Sequence, residues 1–320
     1  MTATATDTLS YTSAGTPRLG LAARWNRWWF TPESPTNLAI CRILFFAAEF
    51  LYHLPVRFDA WGDVPKSLFK PVWIFERLHI PILPSTGLLA AEIAWKVAML
   101  CACLGLFTRV ATAVAAIGAL YLLGTPFNYG KVYHLASIII FTSSILAFSR
   151  CGDALSIDAL IRRKRGLPAP QPSAEYRWPV RMVWVLMAVL FFNAGMAKAI
   201  RGPFFTWIFS ENMAILMTQR HYMNADSMPP LNWGLFIAKH KPLYAFFAGT
   251  SLLAEIFCFL ALFVRNPWRL VLPFTLFSMQ LGIGLMMRVW FTPFMVVYLF
   301  WVPWGDIWDR YIAKKPHVAL

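Results

Sequence analysis

The residues best placed to do chemistry are few, and most lie where lipid is expected. In FFNAGMAKAIRGPFFTWIF, starting at Phe191, Lys198 closes a long apolar run that also holds Asn193. Such a lysine reads in two ways. It is an interfacial anchor, its stem in lipid and its ammonium in water. Alternatively it turns inward as an amine at the mouth of a pocket, where the free base takes a proton from an acidic hydroxyl such as that of a quinol. His134 opens another apolar run, and both residues are expected at the same membrane face, so the two converge on one candidate site. The pocket wall would be aromatic and methionine-rich, drawn from Phe191, Phe192, Met196, Phe204 and Trp207.

Other polar residues also fall inside apolar runs, where each costs several kcal/mol unless it is paired or faces a cavity. Glu92 and Lys96 have the i, i+4 spacing of an intrahelical ion pair, with the acid first as favoured. Glu49, Glu255 and Gln280 are expected near mid-depth. Glu255 has no local partner, so it either binds a proton or pairs across helices with Lys96 or Lys198. Asn193, Glu255, Gln280 and Trp207 are the candidate pocket residues around Lys198 and His134.

The elements that must position these groups follow from composition. Of 320 residues 58% are hydrophobic, 16% aromatic and 14% charged, which predicts an all-α integral membrane protein, a polytopic bundle of about eight transmembrane helices. The spans fall near 38–57, 86–107, 109–125, 132–149, 178–199, 243–264, 268–288 and 291–306. That divides the chain into an N-terminal tail, 1–36, a membrane domain, 37–306, and a C-terminal tail, 307–320. The tail 1–36 lacks the apolar core and small-residue site of a cleavable signal, so the first span is expected to stay as an anchor. Arg24 to Trp29 mixes cations with indoles, the pattern of a short helix at headgroup level.

The net charge of +14 is distributed among loops, with no soluble domain to carry a groove, so it points to topology and anionic lipid and away from nucleic acid. Arg162 to Arg165 form the densest basic cluster, and the positive-inside rule places that loop, and with it both termini, in the cytoplasm of a multi-pass cell-membrane protein. Leu155, Ile157, Leu160 and Ile161 before the cluster predict a short amphipathic helix on the membrane. Residues 200–242 predict a helix lying on or dipping into the outer face as a lid. Five cysteines without a CxxC indicate neither a disulfide framework nor a zinc site, and no metal centre is expected.

Four stretches carry a family resemblance: WNRWWFTPESPTNLAICRILFF, NYGKVYHLASIIIF followed by LSIDAL, FFNAGMAKAIRGPFFTWIFSENM, and LLAEIFCFLALFVR through MQLGIGLMM. Together, over residues 24–306, they resemble the horizontally transferred transmembrane (HTTM) domain, related to the membrane domain of vitamin K-dependent gamma-carboxylase. The resemblance implies that Lys198, in AGMAK, is the base that deprotonates a reduced quinone of the vitamin K type. It makes His134 similar to the histidine of an Asn-His motif, although this chain reads VYH. Gln280 stands where the family usually has a histidine, and glutamine cannot shuttle a proton near neutral pH. The carboxylase adds a large soluble region for its peptide substrate, and this chain ends at Leu320, so carboxylation of peptide glutamates by this chain alone is not expected.

Three functions compete at this level. The first is carboxylase-like or oxidoreductase-like chemistry on a quinol or other lipid-soluble substrate. The second is a non-enzymatic accessory role in maturation or export of a small peptide, as in the sporulation-delaying protein B branch of the family. The resemblance also permits a thioredoxin-like partner. A transporter ranks third, because Glu49, Glu92, Lys96 and Glu255 form no regular ladder.

Overall fold

The computed structural model describes residues 20–130, 134–200, 206–223, 233–265 and 267–313, but not the side chains of His134 and Leu135. Those residues form an all-α polytopic membrane bundle. In chain order the helices are α1 (Leu21–Phe30), α2 (Pro35–His53), α3 (Trp73–Arg77), α4 (Ser85–Leu104), α5 (Thr108–Gly124), α6 (His134–Ala147), α7 (Ile157–Lys164) and α8 (Trp178–Ala199). They continue with α9 (Thr206–Phe209), α10 (Asn212–Met223), α11 (Trp233–Ala238), α12 (Lys241–Phe257), α13 (Val271–Met287), α14 (Thr292–Met295) and α15 (Trp304–Tyr311).

Local chemistry sets many of the boundaries. Ser34 caps α2 by accepting from the amide of Thr36, with Pro35 in the first turn where its missing N–H is no loss. Gly105, at φ 70°, ends α4 in the left-handed conformation. The start of α5 is capped from a distance: Asp158 accepts from the amides of Phe107 and Thr108 at 3.0 and 2.7 Å. Prolines 179 and 242 open α8 and α12 in the same way as Pro35.

Among the described residues six apolar segments are long enough to cross a membrane: Pro35–His53, Ser85–Leu104, Thr108–Tyr129, Ala174–Ala199, Lys241–Leu262 and Trp268–Met287. The other two expected spans are shorter. Helix α6 has 14 residues, about 21 Å at the usual rise and short of a hydrocarbon core of about 30 Å. The expected span 291–306 is broken: α14 runs into a 3-10 helix that ends at Trp301, and Pro303 leads into the separate amphipathic α15. The boundary expected at 306 therefore falls inside a helix rather than at the start of a tail. The segment 200–242, expected to hold a helix on the outer face, carries α9, α10 and α11 among its described residues rather than one helix.

Two groups of long helices are joined by that broken segment. On one side α4 packs against both α2 and α5, and α5 against α6; on the other, α12 packs against α8 and α13. Residues 292–301 lie between them, touching α2, α6, α8 and α13. Its aromatics hold the junction. The rings of Trp184 and Trp301 stack at 4.6 Å, and the indole N–H groups of Trp184 and Trp301 donate to Phe300 O and Met187 Sδ. Helix α1 lies outside with no buried residue, but Trp28 ties it down by donating to Leu262 O at 3.0 Å.

Candidate functional site

Lys198 sits in the last turn of α8, and Glu255 on α12 faces it. The lysine Nζ lies 2.6 Å from both carboxylate oxygens, so the ion pair is two-pronged and joins two helices far apart in sequence. A glycine brings the helices together. A side chain at Gly195 would approach the backbone nitrogen of Ile256 to 2.9 Å and Glu255 Cβ to 3.0 Å, so α8 meets α12 this closely only because the position is bare. Gly195 precedes Lys198 by three residues and therefore shares its helix face.

The pair forms part of the wall of a cavity of about 570 Å3, within the range of small-molecule sites. Glu255 is almost closed off, with its side chain 6% exposed, whereas Lys198 keeps 27%. One face of α12 lines the cavity through Phe247, Thr250, Ser251, Ala254 and Glu255. Helix α13 faces it with Thr275, Ser278, Met279, Gly282 and Ile283. Both sets recur at three- and four-residue intervals, so each helix turns a single stripe toward the space. Helix α10 covers it with Met213, Leu216, Met217 and Arg220. Trp207 closes the end near the lysine, its ring 5.6 Å from Lys198 Nζ. The Trp207 indole N–H is buried without a hydrogen-bond partner among the described residues.

The expected pocket residues divide. Lys198, Glu255 and Trp207 line the cavity. Of Glu255's two expected partners, Lys198 is the one that reaches it. Asn193 does not belong to the cavity. It is exposed, and five residues of helix turn it about 140° from Lys198. Gln280 is buried but is not among the residues lining the cavity, and the ring of Phe277, three residues before it, packs against Tyr298. Its Oε1 has no partner among the described residues. The side chain of His134 lies outside the described residues, and none of the cavity's described lining comes from α6. The free amine expected of an inward Lys198 is also revised, because the amine is engaged by a carboxylate.

Several residues that shape the site have no individual signal in the sequence. Gly195, at the α8–α12 contact rather than in the cavity wall, reads like any small residue in a span. Thr250, Ser251, Thr275 and Ser278 are ordinary in membrane helices, and only the facing of α12 and α13 turns them into a polar band across an apolar space.

The other expected pair is of a different kind. Lys96 Nζ bonds Glu92 at 2.7 Å, Val56 O at 2.9 Å and Leu54 O at 3.0 Å, using all three N–H groups. The second oxygen of Glu92 accepts from the amide of Phe58 at 2.7 Å. Glu49 is buried, and His53 Nδ1 lies 3.4 Å from its carboxylate and 3.0 Å from its backbone oxygen. Comparison of the chain with protein-family models, curated proteins and solved structures finds no match.

Proposed function

We propose that the chain is a cell-membrane protein of the HTTM type that binds a lipid-soluble, hydroxyl-bearing substrate of the quinol class between α10, α12 and α13 and exchanges a proton with it at Lys198 and Glu255. The observation that carries this is the two-pronged ion pair set into the wall of an otherwise mostly apolar cavity. A fully apolar ligand has no use for such a pair, and a strongly hydrated one would not enter so apolar a space. The ligand that fits is apolar in bulk with an acidic hydroxyl at one end.

The chemistry follows from the pair. Glu255 accepts the hydroxyl proton, and the Lys198 ammonium, bonded to both carboxylate oxygens, remains beside the new oxyanion and stabilises it. Lys198 becomes the base itself only after passing its own proton to Glu255. Either route leaves one added proton on the pair and one negative charge on the ligand oxygen. The Thr250 and Ser278 hydroxyls supply donors or acceptors for a second oxygen along the same wall. The basic loop that contains α7 faces the cytoplasm in this proposal, as the positive-inside rule directs, and both termini lie on that side.

Mass spectrometry of the lipids and quinones retained by the purified protein tests this directly. Wild type is expected to retain a quinone or another hydroxylated lipid, and the double variant Lys198→Gln/Glu255→Gln, which keeps hydrogen bonding without charge, to lose it. Equal retention by the two proteins sinks the proposal.

A further inference from the structure

A second cavity, of about 340 Å3, lies where the first turn of α5, the turn after α6 and helix α7 meet. Its polar lining is arginine-rich: Arg109, Arg150 and Arg162 surround it, together with Asp153, Asp158 and Thr108. The two carboxylates are already saturated. Asp153 accepts from Arg150 Nε at 2.8 Å, from Arg162 at 3.0 Å and from the Tyr176 hydroxyl at 2.8 Å. Asp158 accepts from the amides of Phe107 and Thr108 and from the Thr108 hydroxyl. Burial pushes both carboxyls up, and these donors more than reverse it, holding each below the usual aspartate range.

The arginines are not saturated. Arg162 uses one terminal nitrogen on Asp153, and Arg150 uses Nε and one terminal nitrogen. The Arg109 guanidinium has no hydrogen bond or ion pair among the described residues; only its backbone carbonyl is engaged, accepting from the Thr112 hydroxyl. Three guanidinium groups thus meet two internally satisfied carboxylates, leaving forked donors directed at a space of fixed size.

What borders this space is apolar and uncovered. Phe107 and Val110 are 73% and 65% exposed, and Val114 and Ile117 continue the stripe down the same face of α5 at helical spacing. Leu160 and Ile161 of α7 are also exposed, next to Arg162 and Arg163. Phe107 is held at φ 46°, a conformation that disfavours an aromatic residue, and the Asp158 cap fixes it there. Charge above and lipid-facing apolar surface below is the profile of headgroup depth.

We propose that this cavity is a binding site for an anionic phospholipid, its phosphate held by Arg109, Arg150 and Arg162 and its acyl chains lying along Val110, Val114 and Ile117. A free inorganic phosphate offers the same oxygens to the arginines, but it has no use for the apolar stripe. The site is separate from the Lys198 cavity and does not depend on what binds there.

Thermal unfolding of the full chain in detergent tests this, titrated separately with short-chain phosphatidylglycerol, short-chain phosphatidylcholine and inorganic phosphate. Phosphatidylglycerol is expected to stabilise at concentrations about tenfold lower than phosphatidylcholine, the worth of one charge-assisted contact. Arg109→Gln should remove most of that preference, and Lys66→Gln, the same charge change on an exposed residue outside this lining, should leave it intact. Equal response to the two lipids, or equal loss in the two variants, overturns the proposal. Inorganic phosphate matching phosphatidylglycerol overturns the lipid assignment. Should Arg109→Gln give no folded protein, Val110→Gln serves instead: it should weaken the phosphatidylglycerol response, and an unchanged response overturns the acyl-chain placement.

Discussion

Among the described residues two lysine–glutamate pairs lie within the membrane segments, and they are built to opposite ends. Glu92 and Lys96 belong to one helix, and every valence they offer is taken up: three lysine N–H groups by Glu92, Leu54 O and Val56 O, and the second carboxylate oxygen by Phe58 N. That pair fastens the chain after α2 to the side of α4. Lys198 and Glu255 come from different helices, bond only each other among the described residues, and border open space. A saturated buried pair organises backbone, whereas an unsaturated pair on a cavity keeps capacity for a ligand. Ionisable residues inside a membrane protein are thus sorted by what else they bond, not by depth alone.

The sharpest test removes charge from each pair. Lys96→Ala leaves Glu92 buried without its cation and the Leu54 and Val56 carbonyls without a donor, so the expected loss of stability is about 3–5 kcal/mol. The double variant Lys198→Gln/Glu255→Gln removes both charges together and should cost less than about 1 kcal/mol, because replacing both members of a buried pair is often nearly neutral. Denaturant or thermal unfolding in detergent gives both numbers. If the double variant is as damaging as Lys96→Ala, the two pairs do the same structural job and the contrast collapses.

A smaller effect is expected at Gly195. Valine there must displace Ile256 or Glu255, which costs about 1–3 kcal/mol as overpacking and moves α8 from α12. The same shift draws Lys198 away from Glu255, so ligand retention should fall along with stability. Retention unchanged despite a loss of stability would show that the close helix approach is not what holds the pair.

How much of this was legible beforehand depends on the range of the signal. The membrane class and most spans follow from apolar run length, which is local. The Glu92–Lys96 pair is an i, i+4 relation and equally local. The Lys198–Glu255 pair is one of three alternatives open to Glu255, beside a bound proton and a pairing with Lys96, because nothing within a span says which helix lies beside it. Asn193 and Gln280 are grouped with the site by nearness in sequence or depth, and neither lines the cavity; helix phase accounts for Asn193, whereas nothing in the phase of α13 separates Gln280 from Ile283. Position 291–306 looked like a span because average hydropathy does not register that Pro303 breaks it. The second cavity was missed because Arg109, Arg150 and Arg162 come from three separate segments, only one of which lies in the obvious basic cluster.

The aspartates of that second cavity give a saturated case outside the spans. Asp153 and Asp158 have depressed folded pKa values, so they add stability above the ordinary aspartate range, about pH 3.9, and lose it as pH falls through the lower folded values. Unfolding temperature measured from pH 6 downward should therefore decline as these carboxylates protonate. Asp153→Asn should flatten that decline. A variant that titrates like wild type would mean that the bonds from Arg150, Arg162 and Tyr176 do not favour the ionised form.

The smallest expected effect is the most discriminating for the borders of the first site. Asn193 lies in the same helix as Lys198, five residues away, but is exposed and turned to another face. Asn193→Ala should change stability by no more than about 0.5 kcal/mol and leave ligand retention as in wild type. If retention drops, the ligand reaches around α8 beyond the cavity between α10, α12 and α13, and the division between a saturated region and a ligand-facing one must be redrawn to include that outer face. If it does not, sequence proximity to the lysine counts for nothing, and the site is bounded by the stripes of α12 and α13 that the helix period selects.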